Sequence, residues 1–180
     1  MKLRTSIIER TNIRGHTLLY ALLMLALHPF VQDALYSEIQ ETIGSRIPTY
    51  DDFPNLVYPL CIMFETLRLF PPVIAIPKVA VKSDHMLLGK YLIPRGSTII
   101  YTVAHLHRNP NYWGDDVESF KPSRFYGRMV TEKTVDENTG DTSPGASNEK
   151  IKMPIKGAFV PFSEGARSCL GKPCVIGLIF

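Results

Sequence analysis

The spacing of apolar positions changes twice along the chain, dividing it into a helical front, a short-stranded middle and a loop-rich rear. Gly15 to His28 is dense in Leu, Ala and Met and has no breaker in its interior, which favours helix. Its apolar residues fall on every side, so the segment is expected to be buried on every side. Pro29 stops this helix and opens the next, where a missing N–H in the first turn costs nothing. Val31, Leu35, Ile39 and Ile43 then recur at four-residue intervals among Gln32, Asp33, Glu38 and Glu41. That spacing predicts an amphipathic helix closed by Gly44.

Ser45 to Asn55 is polar and contains two prolines, so it reads as a connection. A third helix is predicted over Val57 to Leu69, with Pro59 confined to its first turn and Pro71-Pro72 ending it. From Val73 to Thr102 the pattern shifts to short β-branched runs: Val79 to Val81, Met86 to Leu88 and Thr98 to Val103. Gly89 and Arg95-Gly96 mark the turns of a small sheet. His105 to Phe125 is loop-rich, and residues 127–156 carry so many Thr, Ser, Asn, Glu and Lys that they read as a surface insertion. Ile155 to Phe180 becomes apolar again and glycine-rich. The expected class is mainly α with a small β-sheet, in a single domain spanning residues 1–180.

Composition supports a globular chain, since 45% of its 180 residues are hydrophobic. The net charge of +3 arises from 20 basic and 17 acidic side chains interspersed along the sequence. No clustered basic face is present to hold nucleic acid. Lys2, Arg4, Arg10 and Arg14 ahead of the apolar run Leu18 to Leu27 imitate a signal peptide. Ala26-Leu27-His28-Pro29-Phe30 is no cleavage site, and the run is about half the ~20 residues that span a bilayer. A buried helix is the better reading, with no membrane span. Cys61, Cys169 and Cys174 fit neither a disulfide framework nor a zinc pattern, which points to a reduced chain with an unpaired thiol.

Two groups of residues carry chemistry. Glu65 and Arg68 stand three apart on the third helix, hence on one face, and their neighbours Cys61, Ile62, Met63, Phe64, Leu67, Leu69 and Phe70 are apolar. A buried ion pair needs further hydrogen-bond partners, and Arg124 in Phe120 to Phe125 is a candidate. The second group is Phe162-Ser163-Glu164-Gly165-Ala166-Arg167-Ser168-Cys169-Leu170-Gly171. It matches the haem-binding pattern Phe-x-x-Gly-x-Arg-x-Cys-x-Gly at every fixed position. A thiolate needs partial positive charge nearby, which backbone N–H groups and a following helix N-terminus supply. Glycines at 165 and 171 allow tight turns and close approach of the backbone.

On these motifs, and on the order of helix pair, small sheet, Arg124 segment and Cys loop, the chain resembles the cytochrome P450 family over roughly Gly15 to Gly171. The resemblance implies a partial fold of that family: the end of the long distal helix, the Glu-x-x-Arg helix, the small sheet, the meander and the Cys loop. It makes Cys169 the axial thiolate of a haem b iron, pushing electron density onto the metal. Phe162 would pack on the macrocycle, Gly165 and Gly171 would let the backbone approach it, and Arg167 would pair with a propionate. Lys78 stands where relatives often place a second basic residue for a propionate, although a solvated lysine at a strand start explains it equally. Glu65, Arg68 and Arg124 correspond to the network locking the core beneath the haem. Val73 to Ile76 follow the Pro-Pro stop where relatives line the substrate pocket, favouring a lipophilic substrate, although a core strand explains them nearly as well. His105 and His107 read as structural rather than as ligands, and Met24 and Met63 as core filler.

The implied function is haem-thiolate monooxygenation, inserting one oxygen atom from dioxygen into a lipophilic substrate, with electrons from NADPH through a reductase. A full-length eukaryotic relative is expected at the cytosolic face of the endoplasmic reticulum membrane. The alternative is a truncated fragment that binds haem without monooxygenase activity, or that is non-functional. Three departures motivate it. The acid–threonine motif that delivers protons in relatives has no counterpart in Glu9 to Arg14. Pro173 falls in the first turn of the helix expected after Cys169, Cys174 replaces the usual aromatic residue, and Ser123 replaces the common Glu before Arg124. Both ends diverge from the family in the manner of a truncated gene.

Overall fold

The computed structural model describes residues 2–129, 157–165 and 168–171. Helix α1 (Lys2–Leu27) begins well before Gly15, where the apolar pattern placed its start. Lys, Arg, Glu and Ile in the first half are helix-compatible, and one interior glycine costs only about 1 kcal/mol. The expected all-round burial is also corrected. Thr17 and Met24 are buried, whereas Leu18, Leu19, Leu22, Leu23 and Leu27 are exposed. An apolar composition creates a demand for burial, and only neighbouring elements can meet it.

Helix α2 (Pro29–Thr42) folds back from α1 at 106°. Val31 and Leu35 rest against a cluster built from Met24, Ile62, Leu69 and Phe120. Its end follows the predicted cap: the Ile43 and Gly44 N–H groups both donate to the Ile39 carbonyl, and Gly44 adopts φ +66°. Among the described residues no single helix is long and apolar enough to cross a membrane.

Helix α3 (Val57–Leu69) matches its predicted bounds, with Pro59 in the first turn. Its free N-terminal amides are capped from outside, because Glu38 on α2 accepts the N–H groups of Val57 and Tyr58. Every residue from Cys61 to Leu69 is buried. Phe64 and Leu67 lie in the main core with Trp113, Val117, Phe125 and Phe159. Short helices α4 (Val103–Leu106), α5 (Pro110–Trp113) and α6 (Ser123–Met129) interrupt the region expected to be loop.

The sheet also departs from expectation. Strands β1 (Ala75–Val79) and β4 (Thr98–Thr102) form one antiparallel pair, with Pro77 opposite Ile100. Strands β2 (His85–Leu87) and β3 (Tyr91–Ile93) form a second, separate hairpin. The first strand therefore begins at Ala75 rather than Val79, and β3 was not foreseen. Pro77 and the nearby prolines masked the strand, since proline is tolerated on an edge whose N–H needs no partner. The expected insertion at 127–156 falls outside the described residues from 130 onward, while 127–129 belong to α6.

Candidate functional site

Glu65 and Arg68 are both fully buried and face one another through two parallel contacts of 2.8 Å. Burying such a pair is favourable only if the remaining donors and acceptors are matched. They are. Arg68 also donates to the carbonyls of Val117 at 2.7 Å, His107 at 3.0 Å and Ser119 at 3.3 Å. Its guanidinium lies over the Trp113 ring at 5.3 Å. Glu65 accepts the Lys121 N–H at 2.9 Å and the Arg124 Nε at 3.3 Å. The predicted trio is thus one network.

Arg124 extends that network to the carbonyls of Trp113 and Asp116 and to the Asp116 carboxylate. Asp116, which the sequence did not single out, also pairs with Lys121. Lys121 and Arg124 together hold its carboxyl down to about 2. These contacts fasten the irregular stretch from Leu106 to Phe125 onto α3, where a loop would otherwise bury unpaired backbone groups.

The Cys loop leaves the core at Phe159 and Val160, which are buried, and turns immediately. Ser163 donates its N–H to the Val160 carbonyl at 3.1 Å, and Cys169 donates its N–H to the Phe162 carbonyl at 2.8 Å. Gly165 adopts φ +85° and accepts the Ser168 N–H, a conformation that explains its predicted need for glycine. Ser163 also has positive φ, +59°, and its hydroxyl is bound to Tyr101 on β4 at 3.0 Å. Neither Ser163 nor Tyr101 was expected to matter, because a side chain holding a strained backbone leaves no pattern in sequence. A Cβ at Gly171 would meet the Cys169 sulfur at 3.6 Å, an ordinary contact. Arg167 lies outside the described residues.

Three regions of the chain meet at a cleft of about 200 Å³. Ile13 and Thr17 of α1 form one wall, Pro72, Val73 and Ile76 another, and Phe162, Ser163 and Cys169 a third, with Leu67 also contributing. Cys169 is exposed. Cys61, by contrast, is sealed in the core, and burial pushes its thiol up to about 12, so it stays protonated. Lys78 is exposed on β1 and is not among the cleft residues. His105 is exposed, but His107 is wholly buried, against its expected place among polar loop residues. The clue available was Val103, one helical turn before His107, whose carbonyl accepts the His107 N–H.

The family model for cytochrome P450 matches residues 15–174. Cytochrome P450 monooxygenase 124 of Postia placenta is 33% identical over 166 residues, covering 88% of this chain and 27% of the relative. The 7-deoxyloganic acid hydroxylase of Catharanthus roseus is 32% identical over 156 residues, covering 86% of this chain and 26% of that enzyme. The cyclooctat-9-en-7-ol 5-monooxygenase of Streptomyces melanosporofaciens is 29% identical over 167 residues, covering 93% and 31%. The chain therefore spans about a quarter of the length of the curated relatives it matches.

Proposed function

The chain belongs to the cytochrome P450 family, and from that premise we propose that Cys169 is the axial ligand of a haem iron in the cleft facing α1. The assignment makes the chain the haem-binding part of a monooxygenase acting on a lipophilic substrate. One observation carries it: the exposed Cys169 thiol lines the same apolar cleft as Ile13 and Thr17, from the opposite end of the described chain.

The donor set fits haem. Among the described residues no three His, Cys, Asp or Glu gather as metal ligands. A metal held at a lone cysteine must take its other ligands from elsewhere, as a porphyrin provides. When bound, haem supplies the redox chemistry by which one oxygen atom enters the substrate and the other leaves as water. Electrons would come from NADPH through a reductase.

The chain's own residues bind and orient. Ile13, Leu67, Pro72, Val73, Ile76 and Phe162 offer an apolar lining, suited to a porphyrin face and a lipophilic substrate. The Cys169 N–H bond to Phe162 and the Gly165 turn hold the backbone that carries the thiol. Phe162, Gly165, Gly171 and Arg167 remain the assigned cofactor contacts, with Lys78 a candidate partner for a propionate. Glu65, Arg68 and Arg124 serve as support, holding the stretch from His107 to Lys121 against α3.

A second reading, haem binding without oxygen insertion, has its own observation. The α1 wall presents Ile13 and Thr17, and the Thr17 hydroxyl donates back to the Ile13 carbonyl at 3.2 Å. No carboxylate stands among the described cleft residues to pass a proton.

The test begins with the ferrous carbonyl spectrum after haemin reconstitution. Thiolate ligation gives a red-shifted Soret band, which Cys169→Ala should abolish and Cys174→Ala should spare. Persistence of the band in Cys169→Ala would sink the assignment. Turnover of a lipophilic substrate with NADPH and reductase then separates oxygen insertion from haem binding alone.

A further inference from the structure

We infer that His107 is a positioning residue for the thiolate loop, acting through the backbone N–H of Val160. Its imidazole Nε2 accepts that N–H at 2.9 Å, in a pair wholly inside the protein. The ring lies against Phe159 with centroids 5.0 Å apart, so packing fixes its orientation as well as its position. Phe159 and Val160 are the last buried residues before the loop turns toward Cys169.

The bond completes a continuous path from the buried ion pair to the candidate ligand. Glu65 holds Arg68, and Arg68 donates to the His107 carbonyl. The His107 ring then holds Val160, whose carbonyl receives the Ser163 N–H. Phe162, inside that turn, receives the Cys169 N–H. Every other link in this path beyond Arg68 is made by backbone groups. Among the described residues, the imidazole supplies the side-chain hydrogen bond that links the Arg68 network to the start of the loop.

The surroundings suit an acceptor. To receive the Val160 N–H, Nε2 must be unprotonated, leaving the ring proton on Nδ1. Nδ1 is buried without a well-formed hydrogen bond among the described residues, although the carbonyls of Leu67 and Arg68 lie beside it. Burial, seconded by the cations Arg68 and Arg108, pushes His107 down to about 4 and keeps the ring neutral near pH 7. The Nδ1 proton is thus turned inward, and the acceptor faces the loop. A buried amide N–H stripped of its partner is costly, so the start of the loop would shift to find another.

Two variants separate hydrogen bonding from packing. His107→Phe keeps a ring against Phe159 but has no acceptor; His107→Gln restores an acceptor of similar reach. Both leave the main-chain carbonyl for Arg68. In the haem-free 180-residue chain, amide hydrogen exchange at Val160 and Cys169 should quicken roughly tenfold or more in His107→Phe. Exchange in α3 should stay slow, and His107→Gln should recover most of the loop protection. Unchanged exchange at Val160 in His107→Phe, or no recovery in His107→Gln, would overturn the inference.

The spectral readout rests on the proposed function. After haemin reconstitution, His107→Phe should move part of the ferrous carbonyl from the red-shifted to the unshifted Soret position, with His107→Gln close to the parent. An undiminished red-shifted band in His107→Phe would count against the positioning role. If the parent chain gives no red-shifted band, the haem assignment fails while hydrogen exchange still decides the role of His107.

Discussion

Helices α1 and α3 reverse the usual relation between residue type and burial. α3 carries Glu65 and Arg68 at 0% exposure, whereas α1 leaves Leu18, Leu19 and Leu22 at 52–64%. α3 is contacted by α1, α2, α6 and the stretch from His107 to Lys121, so even its charges are enclosed and must be matched. Among its described side chains, α1 meets neighbours along one stripe, through Thr17, Tyr20, Met24 and Leu25. Local composition states what a helix can bury; the number of elements packed around it decides what it does bury.

Removing one partner from the enclosed helix should break that contrast hardest. Arg68→Met takes both Arg68 contacts from the Glu65 carboxylate and leaves three carbonyls without their donor, and should cost about 3–5 kcal/mol in urea unfolding. A loss below ~1 kcal/mol would mean that water reaches the site. Phe125→Ala, at the centre of the aromatic cluster with Phe64, Trp113 and Phe159, should cost about 3–5 kcal/mol by cavity formation. Acid sharpens the contrast next. His107 is held near pKa 4 when folded against an ordinary 6.5, so between those values the unfolded chain takes up a proton that the folded chain refuses. Its contribution is complete above about pH 6.5 and drains away as pH falls toward 4, by roughly 3 kcal/mol. His107→Gln should flatten that part of the stability–pH curve; an unaltered slope would contradict the assignment.

Effects in the exposed regions should be smaller. Gly165→Ala meets no atom within 4 Å, but its φ of +85° remains strained. It should cost about 1 kcal/mol and weaken the thiolate carbonyl signal more than it lowers the unfolding midpoint. Leu22→Ser on the open face of α1 should change stability by less than ~0.5 kcal/mol. A cost like that of Phe125→Ala would show that α1 is covered in solution.

Several features were legible from residue order because their causes are local. The α3 bounds follow from Pro59 in the first turn and Pro71-Pro72 beyond the last. The end of α2 follows from Gly44, and the Gly165 turn from a glycine in a position only glycine takes easily. The Glu65–Arg68 pairing follows from helical spacing. Features made by distant partners were not legible. β1 was hidden by Pro77 until β4 supplied its hydrogen bonds, and His107 resembled a loop histidine until Phe159 and Val160 closed over it.

The ten residues from Phe162 to Gly171 thus carried the resemblance to the family, and the candidate ligand, in chemistry written in order along the chain. Turn conformation and thiol placement depend on residues a few positions apart, so sequence was enough for them. Tertiary structure set the two described cysteines apart, since burial raises the Cys61 thiol while Cys169 stands open in the cleft. It also decided which polar groups carry the loop. A buried donor such as the Val160 N–H must find an acceptor wherever the fold brings one, and that acceptor came from His107, far away in sequence.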